Sequence, residues 1–253
     1  MFKWNATLYN QFAKERIQPS IDLIHRLPEG SYNRILDVGC GSGMSTVALR
    51  SQFPQAKIAG VDLSEQMLEK AKELEIDVEW IQRDCSKTLE DLGQFDLVFS
   101  NAFLQWLPHQ ETFLAQTKAI LAKDGILAMQ VPNWEQMPIK DCIDEVVEQF
   151  EEFKEPIALN AHNYSMNHYY DMLVKQYQAV EIWQTNYTHI MEDYHAIIDF
   201  IKGAGIRPYL QRLDEVRQET FIKEFEKRLP KIYPIQADGK VLFIFKRILF
   251  IAK

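Results

Sequence analysis

Asp37-Val38-Gly39-Cys40-Gly41-Ser42-Gly43 is the segment of this 253-residue chain whose residue types and spacing say most about chemistry. Glycine at alternate positions lets a backbone turn tightly with positive φ and approach a ligand closely. The segment follows an apolar run at 35–38 and precedes a helical stretch at 45–52, the context that gives a glycine turn its meaning. Asp62 ends the next apolar run, nineteen residues beyond Gly43. A carboxylate there can accept both hydroxyls of a ribose. A dinucleotide site asks for G-x-G-x-x-G, and the sixth position here is Met44. Met44, together with the absence of a lysine or tyrosine at a recognisable hydride-transfer position, disfavours a nicotinamide dehydrogenase. The plain structural alternative is a tight turn that needs glycine.

The rest of the composition mostly excludes. Cys40, Cys85 and Cys142 are odd in number and far apart, so they make neither a disulfide framework nor a zinc site. They read as small buried fillers in a reducing cytoplasm, and no metal is expected. Twenty-eight basic against thirty-six acidic residues give a net charge of −8, which repels phosphate backbones and argues against nucleic acid. No apolar run reaches bilayer length, because Lys246-Arg247 interrupts 241–252, and Met1-Phe2-Lys3-Trp4-Asn5 lacks an apolar signal core. With 47% apolar residues the chain can bury a large core. A soluble cytoplasmic protein without a membrane partner is expected.

The elements that must position these residues alternate. Short β-type runs at 35–38, 58–62, 78–81, 95–100 and 126–131 are separated by helical stretches at 45–52, 67–74 and 113–121. Ser64 is placed to cap the second helix, and Asp124-Gly125 turns the chain into the fifth strand. Such alternation predicts an α/β fold, a doubly wound and mostly parallel sheet with ligands at the carboxyl ends of its strands. Beyond 131 the pattern changes. Residues 145–153 read as helical, 156–170 as irregular and 180–190 as a sixth strand. A long helical stretch over 194–229, broken by Gly203, Gly205 and Pro208, precedes a last strand at 241–252. One domain over 1–253 is predicted, with a core of 30–131, 172–193 and 238–253. Segments 1–20, 132–171 and 194–237 are assigned to a lid, mainly the helical insertion near the C-terminus.

The acidic residue two positions before the first glycine, followed by G-x-G-x-G, resembles the S-adenosylmethionine motif of class I methyltransferases. The resemblance covers 34–131 and implies their Rossmann-like seven-stranded sheet, with S-adenosyl-L-methionine as cofactor and S-adenosyl-L-homocysteine as product. It assigns Asp37, Gly39, Cys40 and Gly41 to the amino acid end of that cofactor and Asp62 to its ribose. Leu63 would pack on the adenine face, Asp84 would accept from the exocyclic amine, and the Cys85 backbone N–H would donate to the ring. Asn101 would stand near the methyl. DNA amino-methyltransferases carry [DN]-P-P-[YF] at that point, whereas this chain has Asn101-Ala102-Phe103-Leu104, which argues against nucleobase substrates.

A narrower resemblance spans nearly the whole chain. Trp4-Asn5, Leu8-Tyr9, Phe12, Glu15-Arg16, Leu104-Gln105-Trp106-Leu107-Pro108, Ala196-Ile197-Ile198-Asp199 and Gly205-Ile206-Arg207-Pro208-Tyr209-Leu210 look like the trans-aconitate 2-methyltransferase family. Ser42 departs from the proline that family often has in the turn. The resemblance implies methyl transfer to one carboxylate of trans-aconitate, giving a monomethyl ester; a monomer acting on a small polycarboxylate is expected. A carboxylate is ionised at neutral pH and needs no general base, so no catalytic residue is assigned. A tri-anion does need local positive charge. Arg207 is the first candidate clamp, with a cap on a helix carboxyl end as its structural alternative. Tyr187 and His189 alternate along a strand and share one face. Trp106, Gln105, Tyr9, Arg16 and Tyr209 complete the substrate candidates. Another carboxylic acid, acyl-carrier-bound or fatty, and a non-catalytic cofactor-binding module remain the alternatives.

Overall fold

The computed structural model describes residues 13–154, 161–203 and 205–253, with the side chains of 13–15 outside the description. Among the described residues there are seven strands: β1 (Arg34–Val38), β2 (Lys57–Asp62), β3 (Glu79–Gln82), β4 (Phe95–Asn101), β5 (Leu121–Pro132), β6 (Val180–Met191) and β7 (Val241–Ala252). They form one sheet in the order β3-β2-β1-β4-β5-β7-β6. Pairings β1–β2, β1–β4, β2–β3 and β4–β5 are parallel, and β7 runs antiparallel to β5.

The chain divides into two compact units, each described by itself. The first comprises Ile17–Asn133, Asn160–Thr185 and Arg247–Lys253. Its central strands β1, β2, β4 and β5 bury both faces, which is why they read as continuous apolar runs. Successive strand residues point to opposite faces. Leu36, Val38, Val98, Leu127, Met129, Ile248 and Phe250 join one buried cluster. Their neighbours Ile35, Leu97, Phe99, Ile126, Ala128, Leu249 and Ile251 join another. Helices Gln110–Ala119 and Met166–Val174 pack Phe113, Leu114, Tyr169, Met172 and Leu173 into the first cluster. Leu23, Ile24 and Leu49, from helices Ala13–His25 and Met44–Gln52, enter the second. Helices on both faces make the sheet doubly wound. Ser64 caps helix Glu65–Lys72 by accepting from the Met67 N–H at 3.3 Å, as its position predicts.

Several boundaries differ from the sequence reading. Leu121 is in β5 and pairs with Phe95, so Asp124-Gly125 forms an irregularity within the strand and not a helix-to-strand turn. A Cβ on Gly125 would lie 2.9 Å from the Phe95 carbonyl oxygen, so only glycine fits this register shift. Residues expected to be irregular before 170 begin helix Met166–Val174, capped by Ser165 accepting from the His168 N–H at 3.3 Å. Residues 161–171 group with the sheet unit.

The second unit comprises Met1–Arg16, Trp134–Leu159 and Asn186–Lys246. Its helix Pro138–Val147 starts earlier than the predicted 145–153: Ile139, Cys142, Ile143 and Val146 recur at helical spacing, and Pro138 opens the first turn, where proline is tolerated. The long stretch after β6 resolves into helices Tyr194–Lys202, Arg207–Leu210, Glu215–Glu226 and Leu229–Ile232. Asp193 and Asp214 cap two of them, accepting from Ala196 and Arg217 N–H groups at 2.8 Å. The core here is rich in aromatics. Phe221 packs against Phe150 at 5.3 Å between ring centroids, and Phe153 lies edge-on to Tyr209 at 5.4 Å.

Candidate functional site: the carboxyl edge of the sheet

The glycine turn leaves β1 at its carboxyl end and is tacked onto β2, with Gly39 and Cys40 N–H groups donating to the Val61 carbonyl at 2.8 and 3.1 Å. Gly39, Gly41 and Gly43 all have positive φ (70°, 54° and 84°). A Cβ on Gly39 would collide with the Phe103 ring at 2.3 Å, whereas one on Gly41 would meet nothing within 4 Å. The backbone at Gly41 is therefore open to a ligand.

Asp37 is fully buried below this turn. Its Oδ2 accepts from the Ser45 and Thr46 hydroxyls at 2.8 and 2.6 Å, in the first turn of helix Met44–Gln52. Its Oδ1 is buried without a hydrogen-bond partner. Burial pushes the carboxyl group up to about 6; the two hydroxyls oppose the rise and the charge on Asp62 adds to it. An orphaned buried carboxylate oxygen costs about 1–3 kcal/mol unless something cationic or donating meets it. Asp62, at the end of β2, accepts from the Gly41 N–H at 2.9 Å on Oδ2 and from the Ser64 N–H at 2.8 Å on Oδ1. Each oxygen keeps a second lone-pair direction for a hydroxyl. Leu63 beside it is 64% exposed, an apolar side chain offered at the surface.

After β3, the Asp84 carboxylate accepts from the Ser86 N–H and hydroxyl at 3.0 and 2.6 Å, which holds it below the usual carboxylate range. Cys85 is buried, its thiol pushed up to about 12 by burial and by Asp62, so it is no nucleophile at neutral pH. At the end of β4, Asn101 Oδ1 accepts from Gln130 Nε2, and Ala102 turns away with φ 56°, its carbonyl held by Gln105 Nε2 at 2.7 Å. Ser100 ties β4 to β1 by donating to the Val38 carbonyl at 2.8 Å. The structure thus places Asp37, Gly39, Cys40, Gly41, Asp62, Leu63, Asp84, Cys85 and Asn101 along one edge of the first unit.

The substrate candidates are less uniform. In the first unit, Trp106 is 44% exposed in a short turn past β4. Gln105 is buried and structural, its carbonyl accepting from the His162 N–H at 2.6 Å. In the second unit, Arg16 donates to the Phe200 carbonyl at 3.1 Å and lies 4.5 Å over the Phe200 ring. His189 is buried against that same ring, at 5.4 Å, with Tyr187 two residues before it on β6. Tyr209 is buried in the aromatic core, stacked on Phe221. Arg207 is half-buried at the first position of helix Arg207–Leu210, so it opens a helix instead of ending one. The predicted cap on a helix carboxyl end is thereby removed. Its guanidinium has no ion-pair or hydrogen-bond partner among the described residues. Tyr9 lies outside the described residues. Sequence reasoning missed Arg247, which it treated as an interruption of an apolar run. Arg247 is 8% exposed and donates from Nη1 to Gln130 Oε1 at 3.5 Å. The available signal was its place in a strand buried on both faces.

Among the described residues no group of acids, histidines and cysteines could hold a metal, and no helix is long and apolar enough to cross a membrane. The orphaned Asp37 oxygen, the open Gly41 and the paired acceptors of Asp62 fit a nucleoside carrying an amino acid. With this sheet order, they define a class I S-adenosylmethionine-dependent methyltransferase.

Comparison with known proteins agrees. Residues 35–125 match the family model described as a methyltransferase domain. Solved structures with the same fold include the YcgJ protein of Bacillus subtilis (TM-score 0.62, 17% identity, 92% of this chain and 97% of that one). Another is phosphoethanolamine N-methyltransferase 2 of Haemonchus contortus in complex with S-adenosyl-L-methionine (TM-score 0.57, 18% identity, 93% and 52%). Trans-aconitate 2-methyltransferase of Escherichia coli is 35% identical over 100% of this chain and 99% of its own length. That of Variovorax paradoxus is 34% identical over the same shares. The chain belongs to the trans-aconitate 2-methyltransferase family.

Proposed function

We propose that the protein methylates one carboxylate of trans-aconitate, giving the monomethyl ester and S-adenosyl-L-homocysteine. The observation that carries this is the end-to-end similarity to relatives of that name. When bound, S-adenosylmethionine supplies a methyl on a sulfonium, and the sulfur leaves as a neutral thioether. The chain's own task is to bind, orient and exclude water. Asp37 Oδ1 receives the cofactor's ammonium, directly or through water, beside the backbone of Gly39, Cys40 and Gly41. Asp62 receives the ribose, Leu63 covers the adenine face, and Asp84 with the Cys85 N–H reads the adenine edge. Asn101 stands at the methyl end.

No proton has to move, because the acceptor is already a carboxylate. Alignment alone is worth roughly 7–11 kcal/mol in well-oriented cases. Arg207 is the proposed clamp on a substrate carboxylate. Tyr187, His189, Arg16 and Trp106 are proposed as further contacts, Gln105 and Tyr209 as their supports, and Tyr9 as a contact from the N-terminal segment. The net charge of −8 speaks against a nucleic acid partner and the buried free cysteines fit a reducing compartment, so a cytoplasmic monomer acting on a small molecule is the proposed setting. A methyl-transfer screen with labelled cofactor over di-, tri- and fatty carboxylic acids tests the reading. Ester formation on trans-aconitate is expected. Transfer to fatty acids alone, or to none of the acids, refutes it.

A further inference from the structure

The carboxyl ends of β1 and β4 lie side by side where the strand order reverses, with β2 and β3 beyond one and β5 beyond the other. Open α/β sheets bind their ligands in the crevice at such a point. Phe99 of β4 pairs with Asp37 of β1, and Asn101 follows two residues further along β4. Residues matched across a ladder point to the same face, and alternate residues of one strand share it. Asn101 therefore shares a face with Asp37, at the crevice. Gln130 of β5 pairs with Asn101, and all three residues belong to the first unit.

The direction of each hydrogen bond here dictates the next. A guanidinium only donates, so the group that meets Arg247 Nη1 is the Gln130 oxygen, Oε1, at 3.5 Å. The Gln130 NH2 is then turned the other way, and Nε2 donates to Asn101 Oδ1. Gln130 is 1% exposed, and its main-chain carbonyl accepts from the Ala102 N–H at 3.0 Å. One residue thus holds the end of β4 by both its side chain and its backbone. With its oxygen engaged, Asn101 has its NH2 left to offer. Asn101 is half-buried, and its Nδ2 has no hydrogen-bond partner among the described residues. The polar group presented at the end of β4 is a donor, and Gln130 is what makes it one.

Resting on the reading given above, which stands Asn101 at the methyl end, we infer that Asn101 donates its NH2 to the reacting carboxylate and that Gln130 is the positioning residue that keeps this donor outward. An ionised carboxylate only accepts hydrogen bonds. One of its oxygens receives Asn101 Nδ2 while the other forms the new C–O bond. The S–CH3 bond breaks with its electron pair staying on sulfur, and no proton moves. An amine has the opposite need: its lone pair goes to the methyl, and its hydrogens ask for an acceptor. Asn101 in this orientation turns its oxygen towards Gln130 instead. The pair therefore selects carboxylates over amines as methyl acceptors.

Wild type, Gln130→Glu and Asn101→Asp are compared by kcat/KM on trans-aconitate and by melting temperature. Calorimetry measures the affinity for S-adenosylmethionine, and for trans-aconitate in the presence of S-adenosylhomocysteine. In Gln130→Glu the new carboxylate accepts from Arg247 and from Asn101 alike, which turns the Asn101 amide over. Both kcat/KM and affinity for trans-aconitate should then fall about tenfold or more. Asn101→Asp can still accept from Gln130 but sets a carboxylate against the substrate, and should cost about 30-fold or more. Neither substitution should weaken S-adenosylmethionine. In wild type, the side-chain NH2 resonances of Asn101 should shift as trans-aconitate is titrated in, a measurement that needs no variant to fold. Wild-type kcat/KM in either folded variant, an equal loss of cofactor affinity, or unmoved NH2 resonances overturns the inference and leaves Gln130 as a packing residue. A wild type that methylates no carboxylic acid overturns the proposed function itself, and the role of Asn101 with it.

Discussion

Replacing Asp37 with asparagine separates two consequences of the buried carboxyl group. Its group titrates near 6 in the folded protein, against a reference of 3.8, because it is fully buried. A folded-state value above the unfolded one means that the folded state binds the proton more tightly. The associated stability is fully present below 3.8 and lost as pH rises through about 6. The difference is worth at most about 3 kcal/mol. The asparagine amide cannot ionise, and its oxygen can still accept from Ser45 and Thr46. Without ligand, Asp37→Asn should therefore melt higher than wild type at pH 7.5, with the gap closing as pH falls from 6 to 4. Cofactor binding should move the other way. Loss of a charge-assisted partner for the ammonium costs about 1.5–3 kcal/mol, or roughly 10- to 150-fold in affinity. In wild type, about one molecule in eleven is ionised one pH unit below the titration point, so affinity at pH 5 should be about tenfold weaker than at pH 7. Titration calorimetry and thermal melts across pH 5–8 measure both. Equal affinity of the two proteins at pH 7, with a flat wild-type profile down to pH 5, would refute the role assigned to Asp37.

Three further outcomes are expected. Asp62→Ala should weaken S-adenosylmethionine by at least about 1.5 kcal/mol per ribose bond lost, and also loosen the glycine turn that Gly41 anchors; unchanged calorimetric affinity counts against it. Arg207→Ala should cut kcat/KM on trans-aconitate tens- to thousands-fold, about 2–5 kcal/mol, with cofactor affinity intact and only partial recovery in Arg207→Lys; wild-type kinetics in Arg207→Ala would dismiss the clamp. Gly125→Ala forces a Cβ against the Phe95 carbonyl, which is backbone and cannot rotate away. About 1–3 kcal/mol of stability should be lost, measurable by urea denaturation.

The sheet was legible because its strands are buried on both faces, so 35–38, 95–100 and 126–131 announce themselves as apolar runs. The carboxyl edge of the sheet was legible because it is built from main-chain turns, and turns write themselves as glycine and as an acid at fixed spacing. Helix Pro138–Val147 was hidden because acidic residues separate its buried Ile139, Cys142, Ile143 and Val146, and because proline reads as a breaker when it can also open a first turn. Pro208 misled in the same way, placing Arg207 at the end of a helix it begins. The proposed substrate contacts are harder still. Gln105 and Trp106 are adjacent, yet one is buried holding the Ala102 carbonyl and the other is 44% exposed. Only tertiary packing decides such pairs.

The place of β7 in the sheet has a consequence for synthesis on the ribosome. Val241–Ala252 is made after the other six strands of this sheet, yet it lies between β5 and β6 and not at a margin. Until it emerges, residues 127–132 of β5 present an unpaired ladder of N–H and C=O groups, and β6 has no neighbour in the sheet. Such an edge, long and apolar, is a template for pairing with another chain. The nascent chain is therefore most exposed to aggregation between the completion of β5 and the emergence of β7, and deletion of Val241–Ala252 should leave an insoluble product, not a weakened enzyme.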